Sequence, residues 1–303
     1  MLRRKELRIR DPFVLRDGAD YYLYGTTTEA MSESRLSVFA SRDLEEFSEP
    51  KTIFTPDADS WALRELWAPE VHRYAGKYYL FVSILGKSGK RGVQIAVSDT
   101  PDGTFTPIAD HPATPSENSC IDGTLYTEDG VPYIVYSLDW PFNYLEKEDV
   151  YSGEIWAMAL TADLREAAGK PFRLFRSMDA PFSAGKPNVT TWAGKRAVRY
   201  GSDAPFLYRL KNGKLLLLWS PYPIDTYVVC SAVSDSGSIH GSFRHRDTPV
   251  FGQNGGHPML FTDTSGGLRM SIHLPERWNA ERAVFLPVRE TDDSLEVISM
   301  PEE

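Results

Sequence analysis

RDPFVLRDGADYYLYGTT, residues 10–27, reads as a strand, a tight turn at Asp17-Gly18 and a second strand. Asp-Gly between aromatic and β-branched runs is a hairpin signal. The stretch decides the fold because it returns. A glycine turn followed by a strand recurs as GADYYLYGT from Gly18, GKYYLFVS from Gly76, GVPYIVYS from Gly130, GKLLLLWS from Gly213 and GGLRMSIH from Gly266. The spacings are 58, 54, 83 and 53 residues. Four strands with their turns take roughly 40 to 50 residues in a propeller blade. The interval of 83 residues therefore holds one blade plus a large insertion, around SLDWPFNYLEKEDVYSG (137–153) and MDAPFSAGKPNVTTW (178–192).

Helical periodicity is nearly absent; TADLREAAG (161–169) is expected to give a turn or two. A two-sheet sandwich also accommodates many short strands, but a long period with a repeated internal signature favours radial repetition. The expectation is an all-β protein, a five-bladed β-propeller in which residues 1–303 form a single catalytic domain.

Composition sets the outer bounds. Of 303 residues, 42% are apolar and 25% charged, with 15 Tyr, 15 Phe and 7 Trp. That is ample core material, rich in strand-favouring aromatics. A net charge of −9 argues against nucleic acid or an anionic membrane as partner. Neutral small molecules remain. Cys120 and Cys230 make no disulfide framework. The basic start lacks the apolar run of a signal peptide, and no stretch approaches 18 apolar residues. The expected location is cytoplasmic, or secreted if a leader has been removed. Oligomeric state is not legible.

A second strand precedes each glycine turn. These open as RDPFVL (10–15), WAPEVHRY (67–74), IDGTLYTE (121–128), SDAPFLYRL (202–210) and GGHPMLFTD (255–263). Each carries an ionisable residue ahead of apolar ones: Asp11, Glu70, Asp122, Asp203 and His257. Singly, each has a plain reading as a turn cap or surface group. At one repeat phase in five blades they would converge on the axis. Four carboxylates and a histidine are costly to desolvate together. Acid–base chemistry gives a reason to assemble them.

With those residues in view, the chain resembles glycoside hydrolase family 43. RDPF with YYLYGT, WAPE with YYLF, IDGT, GGHPMLF and GEIWAMALTADL (153–164) carry the resemblance, which runs from RDPF to ERAVFLPV (281–288). It implies an inverting hydrolase of arabinose- or xylose-containing oligosaccharides, exo-acting on small substrates. It implies Asp11 as general base and Asp122 as the group that holds the acid and raises its pKa. His257 would sit near a central calcium or water cluster; no cofactor is required otherwise. Glu70 would lie close to the site, and Trp67 is a candidate sugar platform or a core residue.

One departure stands out. The family's fourth motif reads Glu-Gly-Pro, with the glutamate as general acid; here it is Asp203-Ala204-Pro205. The carboxylate remains on an arm one methylene shorter. A misplacement of about 1 Å can cost on the order of 10²-fold. The backbone shifts to compensate, or the substrate sits deeper, or acid catalysis is impaired. The last case leaves a non-catalytic sugar-binding propeller as the alternative. A fructan-cleaving propeller is disfavoured, because its Asn-Asp-Pro motif is missing near the start.

Other candidates are weaker. Trp140, Phe142 and Trp192 lie on expected blade-edge loops, where they could wall a sugar subsite or pack a loop. Arg282 is in reach of a substrate hydroxyl or of an ordinary ion pair. His72, His111, His240 and His245 read as surface residues. There is no HExxH, CxxC pair, calcium loop, phosphate loop or Gly-x-Ser-x-Gly elbow.

Overall fold

The computed structural model describes residues 1–183, 185–190, 194–222 and 226–300. Within them strands dominate. One five-residue helix, Thr28–Ser32, is capped by the Thr27 hydroxyl. TADLREAAG forms turns and a lone bridge, with no helix.

Five antiparallel sheets follow the five repeats. Each opens with two strands joined at the repeated glycine turn: Arg10–Asp17 with Asp20–Thr26, Ala62–Tyr74 with Lys77–Gly86, Cys120–Glu128 with Val131–Leu138, Asp203–Arg209 with Leu215–Ser220, and Gly256–Thr262 with Leu268–Leu274. Further strands extend each sheet outward. Leu2–Arg3 joins the outside of the first sheet by pairing with Glu46–Phe47. A sixth, small sheet holds Tyr144–Leu145, Val150–Ser152, Arg196–Tyr200 and Lys186–Thr190. It is built from residues of the long third interval, so the expected insertion is real.

The opening strands touch one another in sequence order, and the fifth touches the first. Apolar side chains fill the spaces between neighbouring sheets. Phe81, Val93 and Ile134 lie between the second and third, Val135, Leu217 and Trp219 between the third and fourth, and Leu218, Met270 and Leu286 between the fourth and fifth. Burial of this kind stabilises by roughly 25 cal/mol per Å². It also leaves the meeting point of the opening strands free for polar groups.

Each opening strand has the same defect, at its start in four of them and part-way along Ala62–Tyr74. The register with its hairpin partner slips after Arg10, Trp67, Ile121, Asp203 and Gly256. The next residue takes a positive φ: Asp11 51°, Ala68 45°, Asp122 54°, Ala204 55° and His257 64°. These are β-bulges with a left-handed residue that is not glycine, at a cost of about 1–3 kcal/mol each. Pro12, Pro69, Pro205 and Pro258 follow in four of them, so the broken ladder leaves no second orphan N–H. Gly123 follows in the other, where a Cβ would meet Val93 at 2.8 Å.

The bulged N–H is captured from the preceding sheet. Ala68 donates to Thr26 Oγ1 (2.8 Å), Asp122 to Ser83 Oγ (2.8 Å), His257 to Ser220 Oγ (2.9 Å) and Asp11 to His273 Nδ1 (3.2 Å). Ala204 donates instead to the Asp122 carboxylate at 2.9 Å. The equivalent hydroxyl there, on Ser137, bonds Ser202. These bonds link all five sheets in a cycle.

The bulges also correct the expected phase. Asp11, Asp122 and His257 occupy the left-handed position. Asp203 stands one residue before it and Glu70 two residues after it, with alanine at the position itself.

Ser83→Ala and Ser220→Ala each strand one buried N–H. Each is expected to lower unfolding free energy by about 1–3 kcal/mol in denaturant titration. Losses of only a few tenths in both would mean that the capture is not what holds the bulges.

Candidate active site

A cavity of about 250 Å³ opens where the five strands meet. It is lined by Arg10, Asp11, Trp67, Ile121, Asp122, Asp139, Trp140, Pro141, Asp203, Tyr222 and His257. Six of the sequence candidates converge here: Asp11, Asp122, Asp203, His257, Trp67 and Trp140. Glu70 does not line it. It is buried beside the cavity and paired with His72 at 2.8 Å, and His72 sits edge-on between Phe13 and Phe81. Arg282 lies elsewhere, donating to the backbone carbonyls of Lys5 and Glu281. Trp192 falls outside the described residues. Of the histidines read as surface groups, His245 is largely covered, against Phe175 and Trp219.

Asp11 is buried and fully engaged. One oxygen accepts from Thr26 Oγ1 at 2.7 Å; the other lies 3.1 Å from His257 Nδ1. Burial alone would raise its pKa. The His257 charge and hydrogen bond, with Arg10 and His273, overcome that and hold it far below the ordinary carboxylate range. Asp11 is therefore ionised throughout the neutral range. His257 gains in return: burial disfavours its charge, but Asp11 carries it up to about 9.

Asp203 is the opposite case. Burial and the facing Asp122 carboxylate push its pKa well above the ordinary value. Its partner is the Tyr227 hydroxyl, which donates at 3.3 Å. Asp122 is raised to about 6, chiefly by burial. Asp139 also rises to about 6 through burial, although Arg91 and Ser119 work against it. One cavity thus holds a carboxylate whose surroundings favour its charged form and another whose surroundings favour the proton.

Several contributors escaped sequence reasoning. Asp139 belongs to SLDWPF, where nothing in a single sequence distinguishes it from loop polarity. Arg10 directly precedes Asp11, and its guanidinium binds Glu276 and Glu281, both at 3.1 Å. Glu276 accepts from His273 Nε2 at 2.5 Å, which fixes Nδ1 as the acceptor for the Asp11 N–H. Tyr222 stacks on Tyr227, and Tyr227 on His273. The one sequence signal was the spacing His273-x-x-Glu276.

Calcium favours six to eight oxygen ligands. Among the described residues no group of three or more His, Cys, Asp and Glu side chains is placed to hold a metal. His257 offers one nitrogen beside Asp11. These residues do not fit a protein-caged calcium, and no step below passes through one.

The model of glycosyl hydrolases family 43 matches residues 5–291. The chain belongs to that family. The endo-arabinase from Bacteroides thetaiotaomicron superposes with a TM-score of 0.85 at 35% identity, covering 97% of this chain and 98% of that one. A xylosidase/arabinosidase of Bacteroides ovatus is 27% identical over 233 residues, 71% of this chain and 66% of its own length. The extracellular endo-α-(1→5)-L-arabinanase 1 of Bacillus subtilis is 27% identical over 175 residues, 54% of this chain and 52% of its own. The matches thus span about half to two thirds of those curated relatives. No helix among the described residues is long and apolar enough to cross a membrane.

The raised pKa of Asp203 has a consequence for stability. The unfolded chain ionises this group near its ordinary value, about 4, while the fold raises its affinity for the proton. Wild-type stability is therefore drained as pH climbs above that value. Asp203→Asn mimics the protonated form and escapes the loss, about 1.4 kcal/mol for every tenfold by which the fold favours the proton. The variant is expected to melt higher than wild type at pH 7–8, with the gap closing towards pH 4. Parallel melting curves across that range would mean that Asp203 ionises in the folded protein as it does in the unfolded chain.

Proposed function

We propose that this protein hydrolyses arabinose- or xylose-containing oligosaccharides with inversion, from the axial cavity of a single-domain five-bladed β-propeller. What carries the chemistry is the opposed surroundings of Asp11 and Asp203 in one cavity, with His257 and Arg10 beside the first and the Asp122 carboxylate beside the second. Family membership supplies the reaction class. The cycle of five sheets supports the propeller reading, with the sixth sheet as a wall beside the mouth.

An inverting hydrolase needs a base on one face of the sugar and an acid on the other, with carboxyl groups roughly 6.5–9.5 Å apart to admit water. Asp11, ionised, takes a proton from the water attacking the anomeric carbon. Asp203, protonated, gives its proton to the departing oxygen. Asp122 keeps that proton in place by its charge and holds the Ala204 backbone beside it. The cavity has room for roughly eight waters, enough for one pentose ring and its attacking water. Trp67 and Trp140 flank that space as apolar walls for a ring face. His257 keeps Asp11 oriented, and its positive charge offsets part of the carboxylate cluster.

The names of the relatives favour arabinose and xylose as the sugars. The B. thetaiotaomicron and B. subtilis proteins are named for arabinan, the B. ovatus protein for both pentosides.

The first test is a nitrophenyl glycoside panel, including α-L-arabinofuranoside and β-D-xylopyranoside, with arabino- and xylo-oligosaccharides beside it. Asp11→Asn is expected to lose at least about 10³-fold in kcat while still binding sugar. Full activity in that variant would remove Asp11 from the base role. Wild-type binding without turnover on any substrate would favour a sugar-binding propeller.

Leaving-group dependence tests Asp203. Asp203→Asn should keep a larger share of wild-type rate on nitrophenyl glycosides, whose leaving groups need little protonation, than on natural disaccharides. Equal fractional losses on both would assign the acid role to another group.

A further inference from the structure

Three tryptophans are built alike. The Arg91 guanidinium lies 3.2 Å from the ring centre of Trp67, that of Arg199 5.1 Å from Trp140, and that of Arg8 4.8 Å from Trp278. Trp67 and Trp140 line the cavity. Trp278 does not; it is 59% exposed, the most exposed aromatic side chain among the described residues.

An exposed indole needs a reason to be held still. Arg8 supplies the means. Its Nε pairs with the buried Glu281 at 3.2 Å and its NH1 donates to the Thr26 carbonyl at 3.4 Å. The guanidinium is thereby fixed, and a fixed cation over an aromatic ring anchors it. Covering a ring from one side leaves the rest of it to solvent.

Position ties this platform to the cavity. Trp278 lies in the segment between Leu268–Leu274 and Arg282–Glu290. The same segment sends Glu276 to Arg10, Tyr222 and His273. Thr26, which binds Arg8 through its carbonyl, binds Asp11 through its hydroxyl. Trp278 is thus connected to the proposed base through two residues. A cavity sized for one pentose ring leaves the remaining units of an oligosaccharide outside it.

We propose that Trp278, backed by Arg8, is an outer subsite that stacks a pentose unit of the same oligosaccharide beyond the cavity. The inference rests on the glycosidase reading for its ligand. Its neutral apolar face suits a sugar ring better than a charged partner.

The test compares wild type, Trp278→Ala and Trp278→Phe on α-1,5-arabino- and β-1,4-xylo-oligosaccharides of two to six units. Two quantities are read: kcat/KM, and affinity by calorimetry in the Asp11→Asn background, or Asp203→Asn should the first not fold. Trp278→Ala is expected to lower the ratio of pentaose to biose affinity, and of the corresponding kcat/KM, about tenfold, the scale of a tryptophan anchor. Trp278→Phe should recover part of it. A ratio equal to that of wild type in both series overturns the subsite, whether or not the enzyme turns over. Length-dependent binding that needs Trp278 but comes without hydrolysis upholds the subsite and removes the hydrolase reading. Failure of wild type to bind either series removes both.

Discussion

Every opening strand enters the meeting point through one residue bent into the left-handed region, and the bend is held by the sheet before it. None of these five residues is glycine, so none adopts the conformation cheaply. The freed N–H must find an acceptor, because an unpaired buried donor costs about as much as the bend. Thr26, Ser83, Ser220 and His273 supply one across the gap between sheets. Backbone strain and inter-sheet cohesion are therefore one arrangement. The bulge aims the side chain of its residue; the captured N–H fixes where that side chain starts.

The electrostatics follow from that placement. Apolar clusters occupy the spaces between sheets, so the carboxylates at the strand mouths are buried without being surrounded by solvent. Such groups either find a cation or keep a proton. Asp11 finds His257 and Arg10. Asp203 accepts from a tyrosine hydroxyl, and burial with the Asp122 charge outweighs the His257 cation, so its surroundings favour the proton. The asymmetry needs no device beyond which neighbour stands on each side. Its stability cost falls on Asp203 and its gain on Asp11.

The repeat was legible because its markers are local. A glycine turn and the strand after it can be recognised in nine residues wherever they occur, and all five proved to be hairpins in five sheets. The phase was not legible. A bulge inserts one residue and moves the side chains beyond it to the other face, so Glu70 and Asp203 looked equivalent to Asp11 while standing two residues after and one before the matching position. Asp139, Tyr222 and Glu276 were missed for another reason: the first two reach the cavity, and Glu276 reaches Arg10 and Tyr222 behind it, from connecting segments whose course depends on tertiary packing. Arg282 lies away from the cavity because its strand packs against the start of the chain, where it donates to the Lys5 carbonyl.

The shortened arm at Asp203 fits this frame better than the one-methylene comparison suggests. Asp203 lies on the residue before a bulge, so its carboxylate is set by the backbone of Ala204 as much as by its own arm. That backbone is held by Asp122, the only bulge acceptor in the cycle that is itself a carboxylate. Elsewhere a hydroxyl or an imidazole does this work. At this one position the acceptor carries charge, and the same charge raises the proton affinity of Asp203. One hydrogen bond therefore couples the position of the Asp203 carboxyl to its affinity for the proton. A change that loosened the Ala204 backbone would weaken both together.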